Sequence, residues 1–507
     1  MNKNTVVIPT AGLGSRLGKL TQFLNKSLIP YKNKPILSHI IESFPTDTQF
    51  IIPIGYQSQQ VIDYCKLVYP FLKIKFVIID DYVSEKSGPG YTISKCFDIL
   101  NSEFWYIPCD TYYNQDLTSF NLKHDTVFTK NVPTEMSEHY TMFKIQNNKV
   151  KDMTFKIQQT MDWEAFTGVM FIKDYVNFKH RLTSSQSNEI VFAIEKDTNQ
   201  VNLNSWKDFG NLEIYNSEVK KTQKYDFTKT DEITYFTSNK VIKWFLDESI
   251  PKKKYEKAKL NTNIFPSNVN NIGQWLVYDY FEGDVVYKNY SVDILLNLLN
   301  WFDSKVWNKK NISLDSYCKK FYKEKTLQRV NLFLKKYPNI GNPHTVNNIP
   351  VKPYYYYLNN IDWDMLENIN MPGFIHGDLQ FDNIIIDSSQ HFKIIDWRHE
   401  FAGLVEVGDI YYDFAKLLGG FIINYSEVKN NNFKYEYNNG HVKLTIPHIQ
   451  NYEQYIKIVE DFLISKNYSV KKTKLLVPII FWNMAPLHTP DFDLLLWYLG
   501  IKLFEEQ

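Results

Sequence analysis

The stretch Phe374-Ile375-His376-Gly377-Asp378-Leu379-Gln380-Phe381-Asp382-Asn383-Ile384, followed further on by Asp396-Trp397, has the residue types and spacing of a phosphoryl-transfer site. Asp378 would accept the proton of an attacking hydroxyl. The amide of Asn383 and the carboxylate of Asp396 would hold Mg²⁺ against the phosphates of a nucleoside triphosphate. The apolar runs Ile384-Ile385-Ile386 and Phe392-Lys393-Ile394-Ile395 read as the strands of a hairpin turned at Asp387-Ser388-Ser389-Gln390. Such a hairpin brings Asn383 and Asp396 out at adjacent strand ends, where two metal ligands can meet.

A second phosphate-handling pattern lies at the other end of the chain, in Val6-Val7-Ile8-Pro9-Thr10-Ala11-Gly12-Leu13-Gly14-Ser15-Arg16-Leu17. An apolar strand feeds a loop in which Ala11, Gly12 and Gly14 let backbone N–H groups approach an anionic triphosphate, and Arg16 adds fixed positive charge. Lys26 and Lys34 follow closely. Beyond them the pattern alternates as in a doubly wound sheet. Strands are expected at Gln49 to Gly55, Leu72 to Asp80 and Phe104 to Pro108, with helices near Gln57 to Val68 and Tyr91 to Leu100. Ligands of such sheets bind at strand carboxyl ends, and Asp110 stands just past one of them.

Both ends resemble known families. The C-terminal motif, H-G-D-L-x-x-x-N and then I-D-W, resembles the aminoglycoside phosphotransferase and choline kinase group, relatives of the protein kinases. That resemblance implies Asp378 as catalytic base, Asn383 and Asp396 as Mg²⁺ ligands, His376 as a support of the loop, and Asp409 and Asp413 as structural acids. It also requires a phosphate-gripping lysine on a small-lobe strand. Lys243 in Lys240-Val241-Ile242-Lys243-Trp244-Phe245 fits, with Glu256 on a following helix as its expected ion-pair partner and Trp275 to Gly283 as the last strand running into the hinge.

The N-terminal set G-x-G-x-R-L, then N-K-S-L-I-P and K-P, resembles the nucleotidyltransferases that join a nucleoside triphosphate to a sugar 1-phosphate or phosphocholine, with Asn25 where a proline is usual. The resemblance implies Lys26 and Arg16 as catalytic cations, Asp110 and Asp208 as metal ligands, and Gly88 in a loop facing the nucleobase. It further implies Glu164 and Gly168 on a sugar-contacting strand and Lys156 on the acceptor phosphate. Asn211 replaces the threonine of W-x-D-x-G-T. The chemistry implied is attack of a phosphate oxygen on the α-phosphorus with loss of Mg²⁺-pyrophosphate.

The expected architecture is therefore α/β. A doubly wound, Rossmann-like nucleotidyltransferase domain spans 1–222, and a bilobal α+β kinase-like domain has its small lobe at 223–284 and its large lobe at 285–507. With 507 residues and 44% hydrophobic content, two or three cores can form. A formal net charge of +1 argues against nucleic acid or an anionic membrane surface as partner, and no apolar run approaches the twenty residues of a membrane span. Cys65, Cys96, Cys109 and Cys318 lack metal-ligand spacing, which with the absence of a leader-like segment suggests the cytoplasm. Small molecules are the expected partners, a homo-oligomer is left open, and the expected substrates are ATP and a second nucleoside triphosphate (CTP, UTP, dTTP or GTP) used with Mg²⁺. The fusion suggests consecutive steps towards an activated sugar or polyol for surface polysaccharide. The alternative substrate is an amino alcohol such as choline or ethanolamine.

Overall fold

Four apolar runs of the N-terminal region become parallel strands. In the computed structural model, which describes residues 4–155, 162–185, 187–220, 231–237 and 239–507, they lie side by side as Lys73–Ile78, Gln49–Ile54, Thr5–Val7 and Phe104–Tyr106. In chain order this is 3-2-1-4, so the direction of winding reverses between Thr5–Val7 and Phe104–Tyr106. A ligand crevice opens at the carboxyl ends of those two strands. Alternate side chains serve two cores: Val6, Phe50, Ile52 and Trp105 on one face, Val7, Ile51, Phe104 and Tyr106 on the other. Burial on both faces explains why the inner three runs read as largely apolar, while the edge strand Lys73–Ile78 carries the exposed Lys73 and Lys75. The sheet continues through the antiparallel strand Trp163–Ile172 to Thr126–Lys130, Asn199–Asn202, Lys149–Phe155 and Thr141–Gln146.

The helix expected over Tyr91 to Leu100 forms only as Pro89–Ser94. Past it the N–H groups of Cys96, Phe97 and Ile99 bond three residues back, to Ile93, Ser94 and Cys96, so the chain tightens into successive turns.

The small lobe is a four-stranded antiparallel sheet in the order Glu232–Phe236, Lys240–Phe245, Trp275–Asp279, Asn270–Ile272. Period-two alternation sends its side chains to different domains. Val241, Phe245, Leu276 and Tyr278 join the core of the large lobe, whereas Ile242, Trp244, Trp275 and Val277 join the core of the N-terminal domain. Tyr235 reaches across as well, donating its hydroxyl hydrogen bond to the Leu28 carbonyl at 2.6 Å, and its ring and that of Trp275 both meet Tyr64. The sheet is thus shared between two cores.

The large lobe is mostly helical, with Val292–Trp301, Lys325–Lys336, Val470–Met484 and Phe492–Glu505 around the wholly buried helix Ile410–Ile422. The hairpin Ile384–Ile386/Phe392–Ile394 forms as the sequence suggests and is extended by Asp284–Val285, which ties that short strand to the large lobe. No helix among the described residues is long and apolar enough to cross a membrane.

Candidate active sites

The N-terminal crevice is built from the loop after Thr5–Val7 and the turn after Phe104–Tyr106. Gly14 stands at φ 66°, a conformation that favours glycine, and a side chain there would also press on Lys26 Cβ at 3.0 Å. At Gly12, by contrast, an added Cβ would meet only Lys26 Cε, at 3.9 Å, so no protein neighbour requires glycine there. Ala11 is buried and its carbonyl accepts from the Tyr56 N–H, while exposed Arg16 lies at the rim. Asn25 is fully buried. Its amide donates to the carbonyls of Thr10 (2.9 Å) and Tyr56 (2.6 Å), and its oxygen caps Ser27 N at 3.0 Å. A proline could make none of these bonds; the asparagine ties two loops together beside Lys26.

Lys26 Nζ lies 3.1 Å from Asp110 Oδ2. Burial works against both charges, and each partner's opposite charge outweighs it, holding the lysine above and the aspartate below its ordinary pKa. Strand Lys207–Asp208 pairs antiparallel with Thr111–Tyr112, which sets Asp208 beside Asp110. Gly210 fits between them: a Cβ there would fall 2.7 Å from Asp110 Oδ2 and 2.9 Å from Asp208 Oδ1. Burial and the neighbouring Asp110 charge push the Asp208 carboxyl up to about 6. Two converging carboxylates, one raised by the other, are a donor set that a divalent cation would relieve, so these residues fit the Mg²⁺ the family implies. Asn211 caps the helix Leu212–Lys220 through Glu213 N at 2.9 Å, a role open equally to the threonine it replaces.

The other N-terminal candidates divide. Gly168, at φ 83° in a bulge of Trp163–Ile172, packs on Pro108 Cγ, where a Cβ would come within 2.5 Å, and so sets the turn that carries Asp110. The Glu164 carboxylate accepts hydrogen bonds from Thr129 Oγ1 and from Gln200 Nε2 at 3.0 Å. Gly88 and Gly90 pack against the backbone of Asn188, whose carbonyl accepts from Gly90 N at 2.6 Å; this packing by itself requires glycine there. Lys34 pairs with Glu42 at the surface, 2.6 Å away. Lys156 lies outside the described residues.

In the C-terminal site His376 is fully buried. Its Nδ1 accepts the Asp378 N–H at 3.0 Å, so Nε2 carries the proton donated to the Ile395 carbonyl at 2.8 Å. Burial keeps this imidazole neutral, down at about 4. Asp413 accepts from His376 N (2.8 Å), Gly377 N (2.6 Å) and Trp307 Nε1 (3.0 Å), and so clamps the loop from the buried helix behind it. Asp409 accepts from Met371 N and Tyr322 OH and pairs with Lys472 at 2.7 Å. Asn383 spends its NH₂ on Asp378, 2.8 Å to the carbonyl, which leaves the amide oxygen as its ligand atom. Asp396 sits on the neighbouring strand end. The donor set fits a hard cation.

Lys243 is buried and bonds Asp396, but the helix partner expected for it is not there. Glu256 is exposed and forms no ion pair among the described residues; the second carboxylate on Lys243 is Glu232, 3.1 Å away. The reason is the register of the sheet. Thr234 lies opposite Lys243, so Glu232 is its diagonal neighbour on the same face. The helix Ser249–Lys259 turns lysines inward instead, Lys254 donating to the Trp397 carbonyl and Lys257 to the Arg398 carbonyl at 3.0 Å.

Lys416, which the motifs did not single out, lies 2.7 Å from Asp378 Oδ1. Packing around Asp378 opposes ionisation, and the charge and hydrogen bond of Lys416 prevail, holding the carboxyl down at about 2. With its side chain 42% exposed, Asp378 would be ionised at neutral pH in any case, and the ion pair fixes the direction of the carboxylate and lowers its pKa further. The one lysine of the helix Ile410–Ile422, three residues after Asp413 and so on its side of the helix, was the available signal.

Residues 361–440, which include the whole loop and Asp396, match the model of the phosphotransferase enzyme family. The C-terminal part of the chain therefore carries a segment of the kinase-like phosphotransferase type, and its N-terminal region is similar to sugar-phosphate nucleotidyltransferases. That region is similar to the bifunctional protein GlmU of Methanocaldococcus jannaschii, 31% identical over 147 residues, 29% of this chain and 34% of that one. It is also similar to the D-glycero-alpha-D-manno-heptose 1-phosphate guanylyltransferase of Campylobacter jejuni, 25% identical over 123 residues, 24% of this chain and 54% of that one. The chain thus spans a third to about half of the length of these relatives. Among solved structures, the CTP:phosphocholine cytidylyltransferase of Streptococcus pneumoniae is similar at 21% identity and a TM-score of 0.36, over 43% of this chain and 99% of that one.

Proposed function

We propose that the chain is a bifunctional enzyme that phosphorylates a hydroxyl compound with ATP and then activates the phosphomonoester with a second nucleoside triphosphate, supplying a nucleotide-linked sugar or polyol for surface polysaccharide in the cytoplasm. The observation that carries this reading is the presence in one chain of two separate centres in which a lysine, half-buried at the first and buried at the second, is set on a carboxylate beside further metal-type ligands: Lys26 on Asp110 beside Asp208, and Lys243 on Asp396 beside Asn383.

At the C-terminal centre the acceptor hydroxyl attacks the γ-phosphorus, the bond to the bridging oxygen breaks, ADP leaves and the hydroxyl proton passes to Asp378. Lys243 holds the phosphates of ATP, and His376 and Asp413 fix the loop on which Asp378 stands. At the N-terminal centre an oxygen of the phosphomonoester attacks the α-phosphorus, and pyrophosphate departs past the loop Ala11–Gly14, with Lys26 and Arg16 countering its charge. Mg²⁺, when bound at Asp110 and Asp208 or at Asn383 and Asp396, would neutralise triphosphate charge.

The test incubates the enzyme with hydroxyl compounds, ATP and each other nucleoside triphosphate, and follows products by mass spectrometry. Asp378→Asn should lower ADP formation by roughly a hundredfold while pyrophosphate release from a supplied phosphomonoester persists. Asp110→Ala should do the reverse. Loss of both activities in either variant, or a kinase product that no nucleoside triphosphate converts, would defeat the consecutive-step reading.

A further inference from the structure

Around Asp378 the large lobe gathers more positive charge than phosphoryl transfer from ATP requires. Lys325 and Arg329 stand one turn apart on the helix Lys325–Lys336 and so share a face. Arg398 packs against the catalytic loop. Its Nε donates to the Gly377 carbonyl at 3.3 Å, and its Cβ occupies the space a side chain at Gly377 would need. The Arg398 guanidinium lies 5.2 Å over the Phe321 ring, and Lys325 Nζ lies 4.0 Å over the same ring. A cavity of about 230 Å³ opens there, lined by Phe321, Lys325 and Arg398 together with Lys320 and Glu324. Glu400, at its edge, is taken by Lys253 at 2.6 Å.

Of the four cations Lys325, Arg329, Arg398 and Lys416, only Lys416 makes an ion pair with a carboxylate among the described residues, and that carboxylate is Asp378. Burial and the like charges of Arg398, Arg329 and Lys416 push Lys325 well below the ordinary lysine range. Half-buried like charges raise the energy of the empty site and are relieved when an anion enters it. The nucleotide is not that anion, since Lys243 and the ligand pair Asn383 and Asp396 serve its phosphates, whereas Lys416 and Arg398 bond the carboxylate and the loop that face the attacking hydroxyl, Lys325 shares the Phe321 ring with Arg398, and Arg329 follows Lys325 by one helical turn.

We propose that the acceptor of the C-terminal site is a small hydroxylated anion, held through a carboxylate or phosphate group by Lys325, Arg329, Arg398 and Lys416. This rests on the phosphotransferase reading of that site and names its substrate class. A cationic amino alcohol would meet the like charges of Arg329 and Arg398 here; a sugar acid or a polyol phosphate meets them as counter-charges and restores the proton that burial and those neighbours draw from Lys325.

The experiment first measures thermal stabilisation of the full chain by Mg²⁺ and a non-hydrolysable ATP analogue, which tests the phosphotransferase reading by itself. With the analogue present, D-glycerate, D-glucuronate, glycerol 2-phosphate, glycerol, glucose, choline and ethanolamine are then compared for further stabilisation, and with ATP for ADP release. Carboxylates and phosphates in the panel separate the two sources of negative charge. Stabilisation or turnover confined to anionic members is expected. The pair Lys325→Met with Arg329→Gln should raise the KM of the best anion at least tenfold, and Arg329→Gln alone, at a half-buried position without an ion pair, reports the same effect if the pair fails to fold. Binding of the neutral or cationic members instead, binding of no member by an enzyme that takes the ATP analogue, or loss of analogue binding in the variants would each overturn the assignment.

Discussion

At the scale of the residue, the N-terminal centre depends on a position with no side chain. Gly210 lets Asp110 and Asp208 converge, and a methyl group there would fall within 3 Å of both carboxylates. One of them must move, and misplacement by about 1 Å commonly costs on the order of a hundredfold in rate. Gly210→Ala should therefore cut pyrophosphate release roughly a hundredfold while ADP formation at the other centre continues; equal rates in variant and parent would show that the two carboxylates do not act as a pair. His376 gives a second prediction. Its ring must stay neutral in the fold, at about 4, whereas an unfolded histidine titrates near 6.5. Above pH 6.5 neither state binds the proton and the group is silent. As pH falls from 6.5 towards 4 only the unfolded chain takes it up, so stability drops. His376→Gln removes that dependence. Urea unfolding of both proteins at pH 7 and pH 4 should show the parent losing about 3 kcal/mol more than the variant.

At the scale of the element, the helix Ile410–Ile422 does what the loop cannot do for itself. It is buried along its whole length, and from it Asp413 holds two consecutive loop N–H groups while Lys416 reaches Asp378. An asparagine at 413 would offer an NH₂ where the protein already presents donors, leaving at least one buried N–H without an acceptor. Asp413→Asn should therefore cost about 1–3 kcal/mol and reduce ADP formation more than it raises the KM for ATP, since it loosens Asp378 and leaves Lys243 in place. A rise in that KM with an unchanged kcat would place Asp413 at the nucleotide instead. The helix Ser249–Lys259 illustrates a limit of pattern reading. An acid among lysines looked like the ion-pair partner, but helical phase turned Glu256 outward and Lys254 and Lys257 inward.

At the scale of the whole molecule, the small-lobe sheet belongs to two cores at once. Trp244 and Trp275 are buried among residues of the N-terminal domain, and Gln60 links Gln274 to Asn25, next to Lys26. The two halves are packed together rather than strung on a linker. Trp244→Ala should cost about 3–5 kcal/mol and lower the thermal inactivation midpoints of both activities together, with one calorimetric transition. Two separate transitions, or loss of one activity alone, would mean that the shared core does not couple the domains. For the same reason a fragment comprising only the phosphotransferase part would expose Ile242, Trp244, Trp275 and Val277 and should aggregate.

Local patterns determined the chemistry. The strand-and-glycine loop at Val6–Leu17, the hairpin that sets Asn383 beside Asp396, and the alternation that puts Lys243 on an apolar face all follow from interactions a few residues apart, which is why these strands and the placing of these residues at their ends could be read from the chain. What depended on distant segments could not. The pairing of Lys207–Asp208 with Thr111–Tyr112, the approach of Lys416 to Asp378 and of Lys325 and Arg398 to one aromatic ring, and the core shared between domains join residues tens to hundreds of positions apart, and even the choice of Glu232 over Glu256 turned on the register of a hairpin. Their geometry is set by strand register, helical phase and the burial of both sheet faces, and these become definite only when the separate elements pack against one another.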